Sequence, residues 1–582
     1  MNSNSRIQRL PIYTAILATV LVVPSLMDPF NLPKLWILSL GAGLICAMSL
    51  TQILNLWHRR RRSPLIFSGI FIFSLFLTSI ASQQSLYRTL VGTWNRNNGT
   101  LSYLCLLVIF LSLASVTSKD TSSFLIFSLT VLGLLGATYG WMQKSSVDPF
   151  LWNNPGNKII LTLGNSNFAS AFLGLTAIAT LTYVLRSGTK NWMRAILVFS
   201  YLIQLYLARK SDAIQGLLVL LIGSAILFGL WLTYSNQNKI KRLAIIWWGL
   251  LLTTGFVGVI GLMGTGPLAT LLQPNFRSLQ DRYYHWIAAF NMLKDHLLFG
   301  VGIDSFGDFY FRYRVPEAIE LRTLSVGGTN NAHNIFAQLG ATGGLVLLLT
   351  YISLIIFTIW RGIFAFKKHN DKFLVSGVFS IWLAFQIQSL VSIDQIGLVV
   401  WGWASAGCLV ALSYMPDDPK TKLNTSRKGK GREVQGLLNT KPATLVLIIL
   451  GLIPSTLLVP TLQNELNLRN RLVDLISSNS DSVIVSNAKR LFDESMKSSQ
   501  PELRLQSLQY LLQAKSDENA LRLALETVDK FPDSFESWDA LARIYESRGQ
   551  FQEATPAREM TVKLDPLNDE IKKLLIKDKA SN

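Results

Sequence analysis

Charged residues make up only 15% of this chain of 582 residues, and half of it is apolar. That balance excludes an ordinary soluble domain and a disordered chain alike. Cysteine is almost missing. Cys46, Cys105 and Cys408 all fall inside apolar runs, which excludes a disulfide scaffold and leaves them as small core residues. No His, Cys or Asp cluster stands at metal-ligand spacing, and no Walker A run occurs. Neither a metal nor a cofactor is therefore expected, and an ATP-driven pump is not. Acidic residues are also scarce, 35 against 54 Lys and Arg, which leaves a net charge of +19.

What is present is a series of apolar runs, with a mean hydropathy of +0.34. Runs long enough to span lipid recur near 11–27, 35–56, 65–82, 101–117, 122–142, 166–185, 193–208, 213–234, 243–263, 334–360, 373–392, 396–414 and 442–461. The fold class they predict is all-α, a polytopic membrane helical bundle of about thirteen spans. No small-residue cleavage site follows the first run, which is expected to be retained. With the N-terminus inside, the inside loops hold 24 Lys and Arg and the outside loops 13. The loops alternate rich and poor, so the excess of positive charge reports an N-in, C-out topology rather than nucleic-acid binding.

The domains follow: residues 1–461 as the membrane domain, with a large extracytoplasmic loop at 264–332 and a basic cytoplasmic linker at 415–441, and residues 462–582 as an extracytoplasmic helical tail. The tail carries a 34-residue period. Ala520 and Pro532 return as Ala554 and Pro566, around Trp538-x-x-Leu541-Ala542 and Gly549-x-Phe551. This pattern resembles a tetratricopeptide repeat, with small residues where helices cross and Gly549 at the turn. A protein partner through residues 501–575 is one use for it, a packing cap on the membrane domain another.

The long loop holds most of the candidate chemistry. Arg282, His285 and Trp286 stand at i, i+3 and i+4, with Ala289 continuing the same face of an amphipathic helix. An arginine fork on that face suits a diphosphate. His333 and Asn334 begin the apolar run that follows, where an imidazole meets the interface with a pKa suited to proton transfer near neutrality. Helix capping is the structural alternative for His333, and interfacial anchoring that for Trp286. Between them lie Gly300-Val301-Gly302-Ile303-Asp304-Ser305-Phe306, a glycine turn without a dinucleotide-binding context, and then Arg312, Arg314 and Arg322. Two further outside loops add Arg88 and Arg96, around Gly92 to Gly99, and Asn167, in Gly164-Asn165-Ser166-Asn167.

Taken in order, Arg282-x-x-x-Trp286, Gly300-x-Gly302-x-x-x-Phe306, His333-Asn334 and Gly343, with Trp94 to Gly99 and Gly164-Asn165-x-Asn167 upstream, resemble the O-antigen ligase and polymerase superfamily over residues 11–414. The resemblance implies a glycosyltransferase of the bacterial plasma membrane. Its substrates would be a polyprenyl-diphosphate-linked glycan and an acceptor glycan, lipid or protein on the outer face. It implies catalytic roles for His333 as general base and Arg282 on the diphosphate. Arg88, Arg96, Asn167, His285, Trp286, Arg312, Arg314 and Asn334 stand as substrate-binding candidates. One stretch departs from the family. A Ser-Arg-Gly-like segment is here Arg209-Lys210-Ser211-Asp212, so no phosphate contact is assigned to it. Three other functions fit the same outline: a solute carrier, inorganic carbon included; a protein-glycosylating enzyme; and a repeat-based assembly scaffold. The crowding of cations at the outer mouth rather than the bilayer midplane favours surface chemistry over transport.

Overall fold

The computed structural model describes residues 3–58, 61–82, 84–150, 152, 154, 156–235, 237–262, 276–321, 328–415 and 441–581. Arg59, Arg60, Arg322, the first part of the long loop and the basic linker at 416–440 lie outside the described residues. Among the described residues every regular element is a helix. In chain order these are α1 (Ser3–Val20), α2 (Asn31–His58), α3 (Ser63–Ala81), α4 (Leu86–Val91), α5 (Thr100–Ala114), α6 (Lys119–Lys144), α7 (Ser166–Leu185), α8 (Asn191–Lys210), α9 (Ile214–Thr233) and α10 (Asn238–Leu262). The loop contributes α11 (Phe276–Asp295), α12 (Phe306–Tyr313) and α13 (Pro316–Leu321). Then come α14 (Ile335–Lys368), α15 (Lys372–Ser389), α16 (Ile396–Tyr414) and α17 (Lys441–Leu457).

Nine helical stretches among the described residues are long and apolar enough to cross a membrane. The sequence predicted about thirteen. The other four apolar runs fall on α1, α5, α8 and α15, which are helical but shorter or more polar: α5 has 15 residues, α1 contains Arg6 and Arg9, and α8 ends in Arg209 and Lys210. The bundle closes on α16, which is buried along its length. Its Gly407 lets α5 approach so closely that a Cβ there would stand 2.7 Å from the Phe110 carbonyl oxygen. Close backbone contact through small residues is the usual currency of helix packing in lipid, where burial of apolar area gives no advantage.

One helix is broken on purpose. Gly344 inside α14 has φ +66, and the chain at 297–302 fills the break. Leu345 and Val346 N–H groups donate to the Leu297 and Leu298 carbonyls, and Val301 and Gly302 N–H groups donate to Ala341 and Thr342. These bonds pair backbone groups that the kink frees, the condition for irregular backbone inside a membrane domain. Gly300 (φ +66) has no room for a side chain against Thr342. The Gly300-x-Gly302 motif is thus a lock on the kink.

The tail is a stack of helical hairpins: α18 (Val459–Ile476), α19 (Asp481–Met496), α20 (Pro501–Gln513), α21 (Asp517–Lys530), α22 (Phe535–Ser547), α23 (Phe551–Leu564) and α24 (Asp569–Ser581). Gly549 turns α22 into α23 at φ +70, and Ala542 and Ala554 are fully buried where the helices cross. Arg558 is also fully buried, between Asp539, Glu546 and Asp578. The tail docks on one end of the bundle. The Glu465 carboxylate accepts the Asp28 N–H at 2.8 Å, and the Gln500 side chain donates to the Gly92 carbonyl at 3.0 Å. Arg61 and Arg361, bonded to Tyr414 and Ser413, mark the opposite end.

Candidate active site

Helix α11 is amphipathic as its spacing predicts. Arg282, His285, Ala288, Ala289 and Met292 are buried, and Tyr283 and Phe290 are exposed on the other side. The buried face rests on α12 and the first half of α14, through Met292, Val301, Phe306, Phe309, Tyr310, Ala332 and Ala341. This packing brings His285 to His333. Their ring centroids lie 5.4 Å apart with planes 23° from parallel. Tyr310 meets the His285 ring edge-on at 5.6 Å. Two imidazoles from segments 48 residues apart thus form one stacked pair at the start of α14.

The loop holding His333 is tied by amides. Asn331 accepts the His333 N–H at 3.0 Å, Gln338 accepts the Ala332 N–H at 2.8 Å, and Asn334 caps α14 by accepting from Phe336 and Ala337. His333 itself takes φ +50, a left-handed conformation. That strained backbone is held by four hydrogen bonds to three surrounding side chains. Arg96 enters the same network: its guanidinium donates to Asn330 at 3.0 and 3.2 Å, and Asn331 donates to the same Asn330 oxygen at 2.8 Å. Arg96 also lies over Phe168, at 5.9 Å from the ring centre, which places the Asn167 segment beside it.

Arg282 sits one helical turn before His285 with 8% of its surface exposed. Burial lowers its pKa, and no carboxylate offsets that loss of hydration among the described residues. An arginine stays protonated under such conditions. Its charge is therefore available to an anion. Trp286 is half-buried beside it.

The remaining cations face elsewhere. Arg88 is fully buried and doubly committed, to Asp308 at 2.7 and 3.0 Å and to Glu502 at 3.0 and 3.2 Å. Burial lowers its pKa, and the two carboxylates raise it by more, to above the usual arginine value. Arg314 grips Asp565 of the tail, at 3.0 Å from Nε, and Arg312 reaches Asp533 at 3.4 Å. These three guanidinium groups join the tail to the membrane domain.

Two carboxylates without an assigned role in the sequence reading lie beneath the His333 loop. Asp304, at φ +59, accepts N–H bonds from Thr93 and Asn98. Asp394 accepts from the Tyr103 hydroxyl at 3.3 Å, and its backbone carbonyl accepts from Asn98. With Gln338, Thr342 and Ile335 they line a small polar cavity with room for about one water. Burial raises the Asp304 carboxyl to about 6 and the Asp394 carboxyl to about 7. An acidic residue in the short link between two apolar runs was a readable signal for Asp394. Nothing in the sequence paired it with Asp304. Among the described residues no group of three or more His, Cys, Asp or Glu gathers at a metal-binding spacing.

These features define a helical membrane protein with a cationic, imidazole-bearing site at one end of its bundle. Residues 159–352 match the family model described as O-Antigen ligase, and the matched segment contains Arg282, His285, Trp286, His333 and Asn334. That segment is thus similar to an O-antigen ligase domain, and the similarity supports a membrane glycosyltransferase-like function in general. Residues 475–558, in the tail, match a second family model, ChAPs (Chs5p-Arf1p-binding proteins). No curated protein was found to match the chain.

Proposed function

We propose that this protein transfers a glycan from a polyprenyl diphosphate carrier to an acceptor hydroxyl on the outer face of the bacterial plasma membrane. The observation that carries the reading is the buried charge of Arg282, which no carboxylate among the described residues offsets, one turn from an imidazole stacked on His333. His333 takes the acceptor proton, and the freed oxygen attacks the anomeric carbon. The bond from that carbon to the diphosphate oxygen breaks, and the polyprenyl diphosphate leaves with its negative charge. Arg282 balances that charge in surroundings where a cation acts more strongly than in water. Arg96 adds a second positive charge through the Asn330 bridge. Asn334 and Asn167 offer amides to the sugars, and Trp286 a flat apolar surface. Arg88, Arg312 and Arg314 leave the substrate set under this reading, because carboxylates already occupy their guanidinium groups.

The test is in cells lacking the protein and complemented with wild type, His333→Ala or Arg282→Ala, each checked for equal expression. Lipid-linked saccharide should accumulate and transferred glycan disappear with either variant. Normal levels of both pools in the His333→Ala strain would contradict the proposal.

A further inference from the structure

The tail reaches the imidazole pair through a single short helix. Three side chains of α12, Asp308, Phe311 and Arg312, and Arg314 just beyond it, are held by residues outside the segment 159–352. Asp308 is gripped by Arg88, which also holds Glu502 of the tail. Phe311 stacks on Phe535 of the tail with ring centroids 4.4 Å apart. Arg312 and Arg314, in the last turn of α12 and just beyond it, pair with Asp533 and Asp565 of the tail. Phe311 joins Phe535, Leu564 and Ile571 of the tail in one buried cluster. On its other face α12 presents Phe306, Phe309 and Tyr310, and Tyr310 makes the edge-on contact with His285.

We propose that the C-terminal helical domain is a positioning domain for the site: it fixes α12 through Arg314–Asp565, Phe311–Phe535 and Arg88–Glu502, so that Tyr310 seats His285 against His333. An eight-residue helix is marginal on its own and takes its place from what packs on it. Its register relative to α11 is set by whichever neighbours are rigid, and the tail supplies the rigid side. The Arg314–Asp565 pair suits that task. Asp565 is fully buried and Arg314 nearly so, the contact is bidentate, and solvent screens it little. Tail residues touch no reacting atom under this inference. They act through the placement of two imidazoles, and misplacement by about 1 Å is enough to cost a reaction about a hundredfold.

The inference rests on the glycan-transfer reading for its readout, and the experiment separates the two. Full-length protein in lipid nanodiscs is assayed with lipid-linked oligosaccharide extracted from the source cells, as wild type, Arg314→Asp, the exchange Arg314→Asp with Asp565→Arg, Phe535→Ala and His333→Ala. Limited proteolysis of the tail reports its docking. Arg314→Asp and Phe535→Ala should speed tail cleavage and lower kcat about tenfold or more, with KM for the donor changed by less than about threefold. The charge exchange should return kcat to within about threefold of wild type. Phe535→Ala decides the matter if Arg314→Asp fails to fold. Wild-type kcat in variants with a released tail would overturn the positioning role. Wild-type kcat in His333→Ala would instead overturn the transfer reading and, with it, the assignment of what the tail positions.

Discussion

His285 lies stacked on His333, ring centre to ring centre at 5.4 Å, with His285 supplied by α11 and His333 by the loop that leads into α14. The two rings differ in exposure. His285 is buried at 2% and seated by Tyr310, and His333 stands half-buried at the head of α14. His333→Ala should lower the transfer rate about a hundredfold to ten-thousandfold, the range for loss of a positioned base. His285→Phe keeps a flat ring in the stack and should cost far less than His285→Ala. Initial rates on the same donor preparation check both.

Arg282 sets stability against function. Among the described residues no carboxylate pairs with its buried guanidinium, and such a group costs a few kcal/mol of solvation in the empty protein. Arg282→Met removes that cost and keeps the volume. The variant should melt at the same temperature as wild type or a few degrees above it, while donor binding falls tenfold or more. Thermal melting and donor titration on one preparation read the two effects. A lower melting temperature with donor affinity intact would assign Arg282 to structure.

The buried carboxylates give an unusual pH dependence. In the unfolded chain these groups release protons near 3.8, but Asp304 and Asp394 hold theirs in the folded protein to about 6 and about 7. Between those limits the folded state binds more protons than the unfolded state, so stability falls as pH rises from about 4 to about 7. Arg96 and the backbone N–H groups of Thr93 and Asn98 reduce the effect at Asp304; Asp394 has only the Tyr103 hydroxyl to offset its burial. Melting should therefore occur at a higher temperature at pH 5 than at pH 8. Asp394→Asn should remove more of that slope than Asp304→Asn.

Gly92 lies in the Arg96 loop, next to Thr93, whose N–H donates to Asp304. At φ +92 it holds a conformation that side chains rarely adopt, and a Cβ would stand 2.4 Å from the Asp304 carboxylate and 2.8 Å from the Asn98 nitrogen. Gly92→Ala should destabilise by roughly 1–3 kcal/mol. Gly69→Ala, in α3 with nothing within 4 Å of its Cβ, should be neutral or slightly stabilising. Melting of the two alanine variants side by side makes the comparison.

Much of the fold was legible because its signals are local. Apolar runs longer than a bilayer is thick become helices whatever their neighbours, and the 34-residue period of the tail places Gly549, Ala542 and Ala554 at a turn and a crossing. The face shared by Arg282, His285 and Trp286 followed from helical spacing alone. What stayed hidden depends on partners far along the chain. Arg88 pairs across 220 and 414 residues, Arg312 across 221 and Arg314 across 251. The sequence offers five candidate arginines, Arg88, Arg96, Arg282, Arg312 and Arg314, and gives no sign of which three meet a carboxylate. The stack of His285 on His333 was hidden for the same reason, although each histidine was singled out separately. The Gly300-x-Gly302 lock on the α14 kink needed Gly344 to make sense of it.

The central claim is tested most directly by purified protein in nanodiscs, given lipid-linked oligosaccharide and an acceptor saccharide, with product glycan and released polyprenyl diphosphate measured together. The account predicts that wild type forms the two in equal amounts, and that His333→Ala and Arg282→Ala, folded and embedded as wild type is, form neither at an appreciable rate. Transfer by His333→Ala at the wild-type rate would contradict it.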